Sequence, residues 1–447
     1  MVRNPARRWP AQRVLNKPTA QAGPFALSEV QVQWGLGVLA VYAVTFILPS
    51  LYAGYLRPAY LLASALWCVL AYPKVGRVPF AFPLVALLTL QAWSIATAIH
   101  ATYALGRGLG VGRADFYLAE HAVPFFVTAA LVMDRPKLRD RILTLFAVAF
   151  GLSCLVGWLQ FFKVPPAMAL AKYYTFKDID FWDATAGLRA CGLAWHPGIL
   201  AAQCGFGLAI VASRVFVDRI HAWHVVAMFF FSGGLVFSQA RAAYLVLAIV
   251  WPVFLWFLLR TDRKLAGRLI AFGAVFLVAA GLFAQKRLGY ALQSSSLEED
   301  PSFTYRRDVI WAQLDPIYPE HALTGIGPSA GLWLGTGPED KFVPLGNVME
   351  SAYLAFLAMY GLPGLLMLIG AYAGSIGVAG AMVLNRRLPR ARRAVGLIGL
   401  ATAAFIALQS YTGNTLDGYM IGPFALIVCG LAVAGRGEGS RPAAESP

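Results

Sequence analysis

Long apolar runs separated by short polar turns dominate this chain. Twelve such runs can be drawn, near residues 30–49, 58–72, 79–100, 115–133, 142–161, 197–213, 222–238, 242–259, 269–284, 350–384, 394–410 and 418–435. A helix that crosses a bilayer needs about 20 mainly apolar residues, and most of these runs reach or approach that length. The second is short, and the tenth includes an entry segment ahead of Gly361-Leu362-Pro363-Gly364. The pattern predicts an all-α fold: a polytopic transmembrane helix bundle of about twelve spans. That domain occupies residues 29–435, between a basic tail (1–28) and a short C-terminal tail (436–447).

Composition narrows the class further. Of the 447 residues, 59% are hydrophobic and 13% charged, whereas a soluble domain carries about 25% charged residues. So little charge cannot cover a water-facing surface of this size, which excludes a soluble multidomain enzyme, a disordered chain and a disulfide scaffold. The net charge of +15 does not gather on one soluble face as nucleic-acid binding would need; it falls in clusters between apolar runs. Of the 37 Lys and Arg residues, 24 lie in one alternate set of connections, including Arg135–Arg141, Arg260–Arg268 and Arg386–Arg393. Cytoplasmic loops carry the excess of Lys and Arg, so both termini are expected in the cytoplasm. The basic N-terminal tail lacks the short apolar stretch and cleavage site of a secretory signal, so no processing is expected.

This orientation leaves two long loops on the extracytoplasmic side, near residues 163–195 and 285–349. Loops of this length are usually functional or disordered, and Trp182, Trp195, Trp311 and Trp333 make these two too aromatic for simple disorder. The chemistry is therefore expected there, on what would be the periplasmic face of the inner (cytoplasmic) membrane of a Gram-negative bacterium. Cys68, Cys154, Cys204 and Cys429 fall in apolar runs and read as packing residues, and Cys191 lacks an evident loop partner. No Cys/His spacing fits a zinc site, and no P-loop, dinucleotide fingerprint or nucleophile elbow occurs. No metal or cofactor is called for.

Arginines stand out on the side that normally excludes positive charge. Arg189 precedes His196-Pro197, where a helix begins; the free N–H groups of such a start favour an anion. It could instead reach lipid headgroups or pair with Asp178, Asp180 or Asp183. Arg241 closes Ser238-Gln239-Ala240-Arg241 at the membrane boundary, as a substrate contact or as a structural arginine holding helix-end carbonyls. Arg287, Arg306 and Arg307 lie in the second long loop, with Glu298, Glu299, Asp300 and Asp308 as alternative partners. Guanidinium forks suit bidentate phosphate binding better than lysine. A helix around Val309, Ile310, Trp311 and Leu314 is expected to pack one face and expose the arginines, ahead of a tight turn at Gly325-Ile326-Gly327-Pro328. Glu350 then enters membrane depth as a helix cap or as a general base.

Taken in order, these motifs are Arg-x-x-Gly…His-Pro, Ser-x-x-Arg, Arg-x-x-x-Trp, Gly-x-Gly, and Glu-Ser-x-Tyr-Leu ending in Tyr-Gly-Leu-x-Gly, across roughly residues 185–370. The set resembles the bacterial O-antigen ligase and polysaccharide polymerase superfamily of membrane glycosyltransferases. The resemblance implies a GT-C-like, inverting, metal-independent enzyme that takes a glycan from an undecaprenyl-pyrophosphate-linked donor at the periplasmic face. The glycan acceptor would be lipid A core for a ligase or the next lipid-linked repeat for a polymerase of O-antigen or exopolysaccharide. It assigns pyrophosphate binding to Arg189, Arg241, Arg287, Arg306 and Arg307. The expected catalytic residues are Arg189, Arg307 and Glu350. A chain-length regulator is a further partner that it implies, beside the lipid bilayer itself. Ligases resembling this chain carry His where it has Glu350, which favours a polymerase. A transporter or flippase for a lipid-linked glycan is the remaining alternative, weakened by the absence of a clear repeat between the halves.

Overall fold

The computed structural model describes residues 26–104, 122–174, 189–194, 196–217, 221–240, 263–283, 318–328, 351–411 and 422–434. It adds short stretches at 307–308, 311–314, 331–334 and 341–344 and isolated positions between 252 and 304. Eleven longer helices are described: α1 (Glu29–Thr45), α2 (Ser50–Leu70), α3 (Phe82–Tyr103), α4 (Ala122–Asp134), α5 (Leu138–Phe161), α6 (Pro197–Val217), α7 (Ala222–Ser238), α8 (Arg263–Phe283), α9 (Ala352–Leu384), α10 (Arg390–Gln409) and α11 (Gly422–Ala434). Each coincides with or overlaps one of the apolar runs. The run at 242–259 lies almost entirely outside the described residues. Among the described residues, five helices, α3, α5, α6, α9 and α10, are long and apolar enough to cross a membrane.

Two expectations change. First, α2 begins at Ser50, eight residues before its expected start, and continues through Pro58. Arg57-Pro58 looks like a break in sequence, yet the helix runs on through it. Second, the bundle is helical but the second long loop is not wholly so: β1 (Gly331–Leu334) and β2 (Lys341–Pro344) form an antiparallel pair, with Gly331 opposite Pro344 and Leu334 opposite Lys341. A loop outside the hydrocarbon can leave sheet edges to water, which a segment within it cannot.

The core is centred on α6, whose apolar window is 89% buried against 39% for α3 and 44% for α5. Small residues permit this enclosure by letting neighbouring helices approach closely. Aromatic rings fill the space around it: Phe206 of α6 stacks on Phe424 of α11 at 5.0 Å and meets Phe405 of α10 edge-on at 5.6 Å. Phe150 of α5 lies 5.2 Å from Phe424.

Contacts sort the helix ends into two groups. At one end, Lys74 bonds Asp134 at 3.1 Å and Arg135 pairs with Glu29. There Arg214 donates to the Asp140 carbonyl at 3.0 Å, and the Arg393 guanidinium lies over the Phe216 ring. The expected cytoplasmic clusters thus meet at a single end of the bundle. The starts of α6 and α9 and the ends of α5, α7 and α10 form the opposite end.

Helix α9 is broken near this opposite end. Gly361 has φ 67°, and Pro363, which follows two residues later, has no N–H to donate. The carbonyls of Ala358 and Met359 accept instead from Ile326 N–H (2.9 Å) and Gly327 N–H (3.0 Å), while Leu362 N–H donates to the Ala322 carbonyl (2.7 Å). The Tyr360 carbonyl accepts from the Trp93 indole of α3 at 2.8 Å. The expected Gly-x-Gly turn is therefore the partner of the helix break. Gly325 and Gly361 both have positive φ, and a Cβ on Gly325 would lie 2.3 Å from the Met359 carbonyl oxygen. Only glycine fits such an approach.

Candidate functional site

The end opposite the basic clusters contains a largely buried, non-helical segment, residues 189–194, ahead of α6. Irregular backbone at membrane depth is tolerated only where the protein satisfies its polar groups. Here α5 does so with neutral side chains. The Gln160 amide oxygen accepts from Cys191 N–H (2.9 Å) and Gly192 N–H (2.7 Å), and its NH₂ donates to the Gly192 carbonyl (3.0 Å). Ser153 Oγ accepts from Leu193 N–H at 3.0 Å. Ala190 N–H donates to the Phe237 carbonyl at the end of α7.

This anchoring fixes Arg189, which is half-buried and donates from Nη2 to the Gln239 carbonyl at 3.3 Å. Gln239 is the left-handed cap of α7 and stands two residues before Arg241. The structure therefore brings Arg189 against Gln239, some fifty residues away in sequence, in the described part (238–240) of the Ser-x-x-Arg motif. Arg241 itself lies outside the described residues, as do Arg287, Arg306 and Glu350.

The same end gathers the start of α9. Ala352 N–H donates to the Ser410 carbonyl (2.8 Å), and Ser410 Oγ shares a hydrogen bond with the Tyr372 hydroxyl (2.9 Å). The preceding residue, Gln409, donates to the Gly198 carbonyl in the first turn of α6 (2.9 Å), and Gly198 N–H donates to His196 Nδ1 (3.0 Å). Adjacent residues at the end of α10 thus tie together the segment that follows Arg189 and the helix start that follows Glu350. Trp311, in a 3-10 turn (Trp311–Leu314), stands 6.2 Å from the Tyr411 ring. Leu314 is buried beside Ile326 and Phe356, so this stretch packs one face as expected, in a single 3-10 turn.

Arg307 is exposed, and its fork engages Asp308, Nε–Oδ1 at 2.6 Å and Nη2–Oδ2 at 3.2 Å. The guanidinium holds the Asp308 carboxyl below the usual carboxylate range. Asp308 is one of the alternative partners named for this arginine. Cys191 is buried and its thiol is pushed up to about 12 by burial, against the opposing charge of Arg189. It is a protonated packing group at neutral pH, not a nucleophile. Among the described residues no three His, Cys, Asp or Glu side chains gather as a metal-ligand set.

Sequence reasoning missed the supporting residues Ser153, Gln160, Gln409 and Ser410. Their signal is a polar residue inside an apolar run, which marks either a helix contact or a packing site and says little about what it holds.

This arrangement is that of a multi-pass membrane protein with a polar constellation at one end. Residues 226–369 match the family model Wzy_C, described as O-antigen ligase. Over that stretch, about a third of the chain, the sequence is similar to the O-antigen ligase family. The matched stretch runs from α7 to the break in α9 and includes Arg241, Arg287, Arg306, Arg307 and Glu350. No curated protein matches the chain.

Proposed function

We propose that the chain is an inverting, metal-independent glycosyltransferase that polymerises undecaprenyl-pyrophosphate-linked oligosaccharide repeats of O-antigen or exopolysaccharide. It would act at the periplasmic face of a bacterial inner membrane, with twelve spans and both termini in the cytoplasm. The observation that carries this reading is the bond from Arg189 to the carbonyl of Gln239. It sets one guanidinium beside Gln239, two residues before Arg241 in the sequence, in a segment anchored by Gln160.

The chemistry follows from charge. The acceptor hydroxyl oxygen attacks the anomeric carbon as the bond from that carbon to the pyrophosphate oxygen breaks. The leaving group takes the electron pair as added negative charge, and the hydroxyl proton passes to Glu350. Preplaced guanidinium groups stabilise that charge, and stabilisation of this kind often dominates the rate enhancement of an enzyme. Arg189 and Arg241 would do so from the bundle, and Arg287, Arg306 and Arg307 from the second loop. For Arg307 this requires its fork to exchange Asp308 for phosphate. A single displacement inverts the anomeric centre; retention would call for a second, nucleophilic carboxylate.

A second reading, transfer of the glycan to lipid A core, is favoured by the description of the matched family model. Purified protein given only a synthetic lipid-linked repeat distinguishes them. A polymerase lengthens the glycan; elongation or transfer that requires lipid A core makes the protein a ligase. Movement of lipid across vesicles with no change in glycan size would make it a flippase and end the transferase reading.

A further inference from the structure

A cavity of about 370 Å³ lies between α3, α9, α10 and α11, toward the basic end of the bundle. Its walls are almost wholly apolar: Phe82 and Leu87 on α3, Ala379 and Met382 on α9, Gly399 on α10 and Val428 on α11. It has the volume range of a ligand site and no polar group suited to a soluble substrate other than the hydroxyls of Tyr372 and Ser375. The Tyr372 hydroxyl is already bonded to Ser410.

The connection beside this cavity is strongly cationic. Arg386 follows Met382 by one turn of chain, and Arg386, Arg387 and Arg390 are all exposed. None of the three makes an ion pair among the described residues. No Asp or Glu occurs anywhere from residue 351 to residue 416, so the α9–α10 hairpin has no carboxylate of its own to neutralise them. Basic residues at the cytoplasmic end of spanning helices attract anionic lipid headgroups, and basic pockets between such helices bind them. An apolar slot and an unneutralised triad of guanidinium groups at its end together match one molecule: an acyl chain attached to a phosphate.

We infer that the cleft between α3, α9, α10 and α11 is a binding site for an anionic phospholipid of the cytoplasmic leaflet, one acyl chain in the cavity and its phosphate on Arg386, Arg387 and Arg390. The leaflet assignment rests on the orientation given under the proposed function; the binding itself does not depend on glycan transfer. The phosphate end of the site lies away from the Arg189 constellation; only the far wall of the cavity, at Tyr372, reaches toward that end through its bond to Ser410.

The test uses the full chain in detergent micelles, probed with phosphatidylglycerol and with phosphatidylcholine of the same acyl length. Native mass spectrometry counts lipid retained, and thermal unfolding reads its effect. One phosphatidylglycerol per chain should survive, at least tenfold in preference to phosphatidylcholine, and should raise the melting temperature. The triple variant Arg386→Gln/Arg387→Gln/Arg390→Gln should lose that preference. Because this variant can also disturb insertion, Gly399→Leu serves as a second probe. A Cβ there would meet Ala379 Cβ at 3.5 Å and Val428 Cγ1 at 3.6 Å, ordinary contacts, and Gly399 lines the cavity that the rest of the side chain would enter. Gly399→Leu should fold, melt no lower than the parent without lipid, and lose lipid retention. Equal retention of the two lipids by the parent, or retention of phosphatidylglycerol by Gly399→Leu at the parental level, would overturn the inference. Either result is read without reference to glycan-transfer activity, so it stands apart from any failure of that reading.

Discussion

The two ends of the bundle are held together by different forces. At the basic end, charges meet charges or carbonyls: Lys74 with Asp134, Arg135 with Glu29, Arg214 with the Asp140 carbonyl. At the opposite end, amides and hydroxyls take that place: Gln160 and Ser153 with the segment after Arg189, Gln409 with Gly198, Ser410 with Ala352. The contrast follows from depth. Exposed charges such as Arg135 and Glu29 are screened and contribute little apiece, whereas Lys74 and Asp134, largely buried, satisfy each other. A buried turn must satisfy each backbone group, and neutral side chains do so without the desolvation penalty of an ion. Arg189 is conspicuous because it is a cation placed in the neutral end.

Substitutions can sharpen or break that contrast, and they fall in a clear order of expected size. Gly361→Val, or Gly325→Val, should be the most damaging, on the order of 4 kcal/mol, because each adds a side chain at positive φ against backbone. Loss of folded protein in fluorescence-detected size exclusion would register it, and normal folding would show that the helix break is not rigid. Arg189→Ala should reduce glycan transfer about 10²- to 10³-fold with folding retained. Full activity would remove it from the pyrophosphate site. Gln160→Leu leaves two buried N–H groups without their acceptor and should lower stability by about 2–4 kcal/mol, seen as a fall in melting temperature together with lost transfer.

Arg307→Ala should abolish transfer yet leave the melting temperature unchanged, as expected for an exposed ion pair. The folded-state carboxyl of Asp308 is depressed, so its pairing is present above the ordinary carboxylate pKa and lost only as pH falls through the lower folded value. Between about pH 5 and 8 the pair should therefore stay charged, and any pH dependence of transfer in that window should persist in Asp308→Asn. Glu29→Gln, at the basic end, should have the smallest effect, with no resolvable change in thermal unfolding and activity unchanged. If Glu29→Gln were as harmful as Gln160→Leu, the distinction between the ends would fail.

Much of the helical fold was legible because span length and apolar composition are strong local signals. Run 222–238 has the bounds of α7, and run 350–384 nearly those of α9. The start of α2 was not legible, since Arg57-Pro58 imitates a boundary that the helix runs through. The β1–β2 hairpin was missed because its two four-residue strands are too short to show an alternating pattern. At the site, the order of motifs pointed to Arg189 and to the Ser238–Arg241 turn, but their meeting depends on Gln160. A glutamine in an apolar run does not announce that it will hold two N–H groups of a segment thirty residues later. The pairing of Arg307 with Asp308 was among the alternatives open from sequence, because adjacent opposite charges need no fold to find each other.

The broken helix has a consequence for how the chain is made. Carbonyls of Ala358, Met359 and Tyr360 face the gap around Gly361, and their donors, Ile326, Gly327 and Trp93, are all synthesised earlier. A ribosome therefore releases each donor before the acceptor that requires it. The discontinuity never has to wait in lipid for a later part of the polypeptide, and a circular permutant that moved residues 321–327 behind α9 would lose that order of delivery.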